Sequence, residues 1–276
     1  MAISKAGTFV VAFLLSAVGS AAPAADWKAV CPGVEYTVLD LGTQVEFGDN
    51  RLHVVRIDPA RARLAAVFAG RADGQARTAG EWCRERGLAV SINLGMFRMD
   101  HRTNVGYARD GAYLNNGTWS PTYKSALAFG PKENDVPPAV MVDLDDPDSE
   151  YALGEYDSVI QNLRLIKGPG KSVWSVQAKR WSEAAVACDG DGRILFLFSR
   201  SPFPMGEFNR IVLGLRLGIV RAMHVEGGPE ASLSIHGGGV DLDLCGSFET
   251  GFVPDDGNTA QWPIPNVLGV LKAPGD

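Results

Sequence analysis

Histidine and cysteine are scarce in this chain, four of each in 276 residues, and their spacing removes several chemistries. His53, His101, His224 and His236 contain no His-Glu-x-x-His pair, the spacing that sets two imidazoles on one helix face for a catalytic zinc. Cys31, Cys83, Cys188 and Cys245 contain no Cys-x-x-Cys, so neither a zinc ribbon nor a dithiol redox motif is expected. A Walker loop is missing. The run Gly237 to Gly239 lacks the lysine and the following helix that a phosphate loop needs, and reads as a hairpin turn. No Gly-x-Ser-x-Gly elbow is present, which argues against a serine hydrolase of that kind. Basic residues are outnumbered, 26 against 32 acidic for a net charge of −6, so no nucleic-acid partner is expected.

Long apolar runs are also lacking, except at the start. Lys5, the stretch Phe9 to Val18 and the small residues Ala22-Pro23-Ala24 have the form of a signal peptide cleaved after Ala24, too short to span a bilayer. An exported protein, secreted or periplasmic, without a membrane span after cleavage is therefore expected. Residues 25–276 fit a single domain with one sizeable core. In an exported chain the four cysteines permit two disulfides in three pairings, and at least one is expected.

What is present is a series of strand signals with few helices. Val45 to Asp58 and Arg63 to Phe68 alternate around Asp58-Pro59. Thr78-Ala-Gly-Glu81 is a capping box whose helix should end at Gly87. Leu88 to Leu94 reads as a buried strand, and residues 98–126 as a long functional loop with short strands. Ala184 to Cys188 and Arg193 to Ser199 flank Asp189-Gly-Asp-Gly192, a hairpin signal. Phe208, Ile211, Val212 and Leu215 recur at helical spacing, with Gly218 as the stop. Val240 to Leu244 alternates, and Asn266 to Leu271 is a last strand. The fold class is α+β, with strand-rich mixed sheets and a few flanking helices. Asp143 to Glu150 lacks the spacing of a calcium loop and reads as a solvated acidic turn. No cofactor is expected, and a divalent cation is left open.

The most informative stretch is Ala222-Met-His-Val-Glu-Gly-Gly-Pro-Glu-Ala-Ser-Leu233. Glu226 and Glu230 flank a Gly-Gly-Pro turn between two apolar runs. A desolvated carboxylate is unfavourable by several kcal/mol unless paired or protonated, so a poised acid or nucleophile stands against an acidic surface turn. Asn93, closing a buried strand, either binds a sugar hydroxyl or satisfies a turn. Lys124, Lys179 and Arg180 either hold a phosphate or are solvated charges. Trp119, Tyr123, Trp174 and Trp181 either face sugar rings or pack in the core. Asn116-Gly-Thr118 is both a glycosylation acceptor pattern and a plain turn.

Taken in order, these segments resemble the phosphodiester glycosidase family. Asn93-Leu-Gly-Met-Phe97 is similar to that family's Asn-Gly-Gly-Phe-Phe strand end. Gln161-Asn-Leu-Arg-Leu-Ile166 resembles its Gln-x-x-x-x-Leu-Ile segment, and Ser182 to Gly190 stands in place of its Arg-Thr-Ala-Ile-Gly strand and hairpin. Val225-Glu-Gly-Gly-Pro-Glu230 aligns with its Leu-Asp-Gly-Gly-Gly-Ser, and Pro265-Asn266 with its terminal Pro-Asn strand. The chain departs from the pattern at three places: Glu226 replaces Asp, Glu230 stands where Ser is usual, and Glu183 where Arg is frequent. The resemblance implies hydrolysis of a sugar–phosphate diester at the anomeric carbon. Glu226 is then the nucleophile or base, and Glu230 its orienting or acid partner. Lys124 and Arg180 meet the phosphate, Asn93 and Gln161 position the sugar, and Gly227 and Gly228 line the site. The alternative is a carbohydrate- or cell-envelope-binding module without turnover.

Overall fold

The computed structural model describes residues 25–175 and 177–272; the leader expected over residues 1–24 lies outside them. The described chain begins with β1 (Lys28–Cys31), β2 (Val34–Asp40), β3 (Arg51–Ile57) and β4 (Leu64–Phe68), followed by α1 (Ala79–Arg86) and β5 (Leu88–Asn93). Next come β6 (Ala108–Asp110), β7 (Tyr113–Asn116), β8 (Ser125–Pro131), β9 (Ala139–Asp143), α2 (Ser149–Gly154), β10 (Tyr156–Lys167) and β11 (Lys171–Ser172). The last part holds β12 (Trp181–Asp189), β13 (Ile194–Phe203), α3 (Met205–Gly214), β14 (Ile219–Gly227), β15 (Ser232–Gly237), β16 (Val240–Cys245) and β17 (Asn266–Leu271).

These strands form two sheets. The larger has twelve strands along the path β1-β2-β3-β13-β12-β14-β10-β6-β7, with β8, β9 and β11 attached; the smaller runs β16-β15-β5-β17-β4. The strand-rich expectation holds, but the sheets are not mixed. Their ladders are antiparallel, as in β12–β13, β12–β14, β10–β8 and β17–β5. Short turns such as Asp189-Gly-Asp-Gly192 join neighbours directly, and parallel pairing would need long crossovers.

The two sheets face each other across one apolar cluster. Val55, Ile57, Phe196, Phe198, Met223 and Val225 enter it from the large sheet, and Val90, Ile92, Leu233, Ile235, Leu268 and Val270 from the small one. Alternation along each strand sends the intervening side chains outward. On the outer face of the large sheet Val54, Leu165, Ala185 and Leu197 pack with Phe208, Ile211 and Val212 of α3. On the outer face of the small sheet Trp82 and Cys83 of α1 pack with Leu88, Ile264 and Val267. The layers therefore run helix, sheet, sheet, helix.

Local signals act where the sequence places them. Thr78 Oγ1 accepts from Glu81 N at 3.2 Å and Glu81 Oε2 accepts from Thr78 N at 2.8 Å, closing the capping box. Gly87 takes the left-handed conformation, φ 62°, that ends the helix. Helix α3 stops at Gly214, ahead of the expected Gly218, because Arg216 already turns left-handed at φ 54°. Cys83, Cys188 and Cys245 are free thiols, so the expected disulfide does not form among them. Burial pushes the first two up to about 11, which keeps them inert thiols. Asn116 is buried, and its amide donates to the carbonyls of Asn104, Val105 and Gly106. It therefore ties down a loop, with its nitrogen turned away from any glycan donor.

The link that matters for the site is the passage between sheets. Strand β14 belongs to the large sheet and β15 to the small one, so residues 228–231 carry the chain across. Asn93, at the end of β5, fixes that passage: its Nδ2 donates to Glu230 O at 2.9 Å and its Oδ1 accepts from Ser232 N at 2.8 Å. Removing both bonds leaves Ser232 N unpaired, at about 1–3 kcal/mol, and leaves Glu230 O with only its 3.2 Å bond from Ser232 Oγ. Asn93→Ala should accordingly lose roughly 1–3 kcal/mol in urea unfolding. A loss below about 0.5 kcal/mol would show that the crossing is held elsewhere.

Candidate active site

Glu226 lies at the end of β14, next to the crossing. Ala184 pairs with Glu226 and Ala185 with His224, so Val225 is an extra residue on β14. Bulges of this kind re-aim the side chains beside them. The carboxyl group of Glu226 is buried, with the residue 6% exposed. It does not point into bulk water. Its Oε1 accepts from Gly227 N at 3.1 Å.

The diglycine is required by what crowds it. A side chain at Gly227 would bring a Cβ within 2.6 Å of Trp181 Cδ1. Gly228 has φ +64°, and a Cβ there would stand 2.5 Å from Glu249 Oε2. Only a residue without Cβ lets both neighbours approach the bend this closely.

Several carboxylates gather here. Burial, then Glu230, and further Glu249 and Glu183, hold Glu226 well above the usual carboxylate range, against the pull of the Gly227 N–H. Burial and Glu249 raise Glu230, with His101 opposing. Burial raises Glu249, with His224 and Lys179 opposing. Burial, then the charge of Glu226, pushes the phenol of Tyr123 up to about 12. Tyr123 therefore stands beside Glu226 as a neutral hydroxyl. In the resting protein Glu226 holds its proton far above the range of an exposed glutamate. A carboxyl group in that state is suited to donating a proton.

The other expected residues divide into those that hold the frame and those that face elsewhere. Asn93 spends one N–H and one lone pair of its amide on the backbone of the bend. Gln161, in contrast, uses all of its amide. Its Oε1 accepts from Tyr107 N at 3.0 Å and Ser120 N at 2.9 Å, and its Nε2 donates to Ser120 O and Tyr123 O at 2.8 and 2.7 Å. It sets Tyr123 in place through the carbonyl of that residue. Lys124 pairs with Asp145 at 3.5 Å. The guanidinium of Arg180 lies 4.9 Å over Phe248 and 5.8 Å over Phe47, with Glu46 at 3.4 Å. Its backbone pairs with Thr250, which anchors the loop carrying Glu249. The lysine whose charge reaches the cluster is Lys179, through Glu249.

Sequence reasoning missed four participants. Glu249 sits in an irregular loop with no strand signal. His101 lies at a hairpin tip closed by the Phe97–Asn104 bridge. Glu183 and His224 were each visible, on alternating strands, but their pairing at 2.6 Å needed the register of β12 against β14. Nearby, Tyr107 and Trp119 stack at 4.4 Å beside a cavity of about 470 Å³ that Arg109 and Glu150 also line. Among the described residues no group of three or more His, Cys, Asp or Glu side chains is arranged to hold a metal ion. None of the described helices is long and apolar enough to cross a membrane.

The family model for phosphodiester glycosidases matches residues 86–271. The chain belongs to that family. Its fold is similar to the catalytic domain of zebrafish N-acetylglucosamine-1-phosphodiester alpha-N-acetylglucosaminidase auto-inhibited by its pro-peptide, with a TM-score of 0.61 and 12% identity over 90% of this chain and 88% of that one. It is also similar to a hypothetical protein from Synechocystis, with a TM-score of 0.57 and 15% identity over 86% of this chain and 62% of that one. At such identities the likeness is one of fold. The curated proteins include no match.

A carboxyl group raised by burial opposes folding in its charged form, so its favourable state is present at low pH and lost as pH rises through the folded-state value. Glu226→Gln removes that charge. The variant should melt several degrees above wild type at pH 8, at roughly 2–4 °C per kcal/mol, and with almost no difference at pH 4. Equal shifts at both pH values would contradict the protonated state.

Proposed function

We propose that this chain is an exported hydrolase, carried by one domain over residues 25–276, that cleaves a sugar–phosphate diester at the anomeric carbon with Glu226 as its key carboxylate. Family membership supports the substrate class. The single observation that carries the residue assignment is the burial of Glu226 among Glu230, Glu249 and Glu183. The expected leader over residues 1–24 supports export.

The charge balance of the reaction fits this site. When the bond from the anomeric carbon to the phosphate oxygen breaks, the departing phosphate gains negative charge. Beside several glutamates that charge is repelled, unless a proton or a cation meets it. The protonated carboxyl of Glu226 supplies the proton to the leaving oxygen. Glu230 acts on Glu226 through space, keeping that proton in place before reaction. Tyr123, set by Gln161, offers a neutral hydroxyl at the same point. The sugar departs through an oxocarbenium-like transition state, which nearby negative charge stabilises.

A second reading is a carbohydrate-binding module without turnover. The observation favouring it is the Tyr107–Trp119 stack, whose tryptophan is 43% exposed and offers a flat face to a sugar ring.

A panel of hexose and N-acetylhexosamine 1-phosphodiesters separates the two. For the hydrolase, Glu226→Gln should lower kcat by ~10²–10⁴-fold with KM little changed, the usual scale of acid catalysis. Wild-type activity should fall on the alkaline side as Glu226 gives up its proton. Glycan binding with no hydrolysis of any diester would select the module instead.

A further inference from the structure

The reading above gives a proton to the leaving oxygen but leaves unnamed the group that takes one from the attacking water. We propose that His224 takes it through Nε2 and that Glu183 is the residue that positions His224. This inference rests on the hydrolase reading.

The geometry is that of an oriented imidazole. Glu183 on β12 lies opposite Gly227, beside the Ala184–Glu226 pair, and reaches across to β14. Its Oε1 lies 2.6 Å from His224 Nδ1, and its Oε2 accepts the indole N–H of Trp181 at 2.8 Å. Both carboxylate oxygens are thereby fixed. The two side chains are 2% and 4% exposed, and Trp181 meets the imidazole edge-on with ring centroids 5.9 Å apart. A carboxylate can only accept, so Nδ1 carries the hydrogen, and a neutral ring then presents a lone pair at Nε2. Among the described residues nothing forms a hydrogen bond with Nε2. Nε2 is not one of the fully buried, unpartnered side-chain atoms, so a water molecule can reach it.

Packing alone gives no reason for the pair. His224 stands opposite Leu163 and Ala185, in an apolar stretch of the large sheet. There a buried ion pair is often no better than a hydrophobic pair of equal volume. The charged groups facing it come from each surrounding element. They are Glu183 from β12, Glu226 two residues along β14, and Glu249 from the loop after β16, beside which Lys179 also acts.

The step balances with water as the co-reactant. The oxygen of water attacks the anomeric carbon while the bond to the phosphate oxygen breaks. The bonding pair stays on that oxygen, which takes the proton of Glu226. The proton released by water passes to Nε2 and the imidazolium is held by the Glu183 carboxylate; after the products leave, the imidazolium gives its proton to solvent and Glu226 takes one from it, so both groups are reset.

The test measures kcat and KM across pH for wild type, His224→Gln, Glu183→Gln, and His224→Ala with and without added imidazole. The substrates are the same 1-phosphodiester panel. His224→Gln should lower kcat by at least ~100-fold at unchanged KM, and imidazole should restore part of the turnover of His224→Ala. Glu183→Gln should keep the hydrogen bond but not the charge, moving the acid limb of the pH profile to lower pH. Should His224→Gln fail to fold, the acid limb of Glu183→Gln decides, and an unmoved limb overturns the dyad. Wild-type turnover with His224→Gln inside about threefold of it overturns the dyad and leaves the hydrolase standing. A wild type inert towards every diester overturns both.

Discussion

The site depends on one unfavourable arrangement: a carboxyl group held out of water among other carboxylates. Glu226 is enclosed where β14 leaves the large sheet, and Glu230, Glu249 and Glu183 all act on it. Alone, such a group is a liability for the fold, because its charged form is expensive to bury. It persists because the surroundings over-determine its position. The bend leaves no room for any side chain at residues 227 and 228, and Asn93 ties the far side of the bend to β5. The two sheets share one core on either side of the crossing, so the bend cannot move without opening that core.

Around this point the polar residues fall into two groups. One is spent on backbone: Asn93 on the bend, Gln161 on the Tyr107–Tyr123 loop, and Asn116 on residues 104–106. These amides convert long irregular segments into fixed walls, since each satisfies groups that would otherwise be buried unpaired. The other group keeps a chemical function. Burial favours the protonated form of Glu226, the Tyr123 hydroxyl has only a 3.8 Å contact with Met96 Sδ, and His224 Nε2 is open to a partner from outside. A site with rigid walls and a few uncommitted groups needs little reorganisation during reaction.

Much of the fold was legible in the sequence, for reasons that can be named. The capping box at Thr78, the left-handed Gly87, the Asp-Gly hairpin and the alternation of Val240 to Leu244 are local signals, and local structure obeyed them. The division into two sheets was not legible. Residues 228–231 look like the turn of a hairpin, yet β14 and β15 pair with different partners. Glu226 and Glu230 were legible as a pair because the bend itself is a sequence feature. The surroundings of Arg180 were not legible, because nothing in the sequence reveals that its guanidinium lies over Phe248 and Phe47. Glu183 and His224, 41 residues apart, meet only through strand register, which no local pattern encodes.

The central claim is that the Glu226 carboxyl is protonated in the resting protein near neutral pH, and infrared difference spectroscopy reads it directly. Spectra of wild type minus Glu226→Gln, followed through a pH titration, isolate the one carboxyl group. The account predicts a protonated carboxyl band that persists at neutral pH and disappears only on the alkaline side. A band already lost in the range of an exposed glutamate, about pH 4–5, would contradict it.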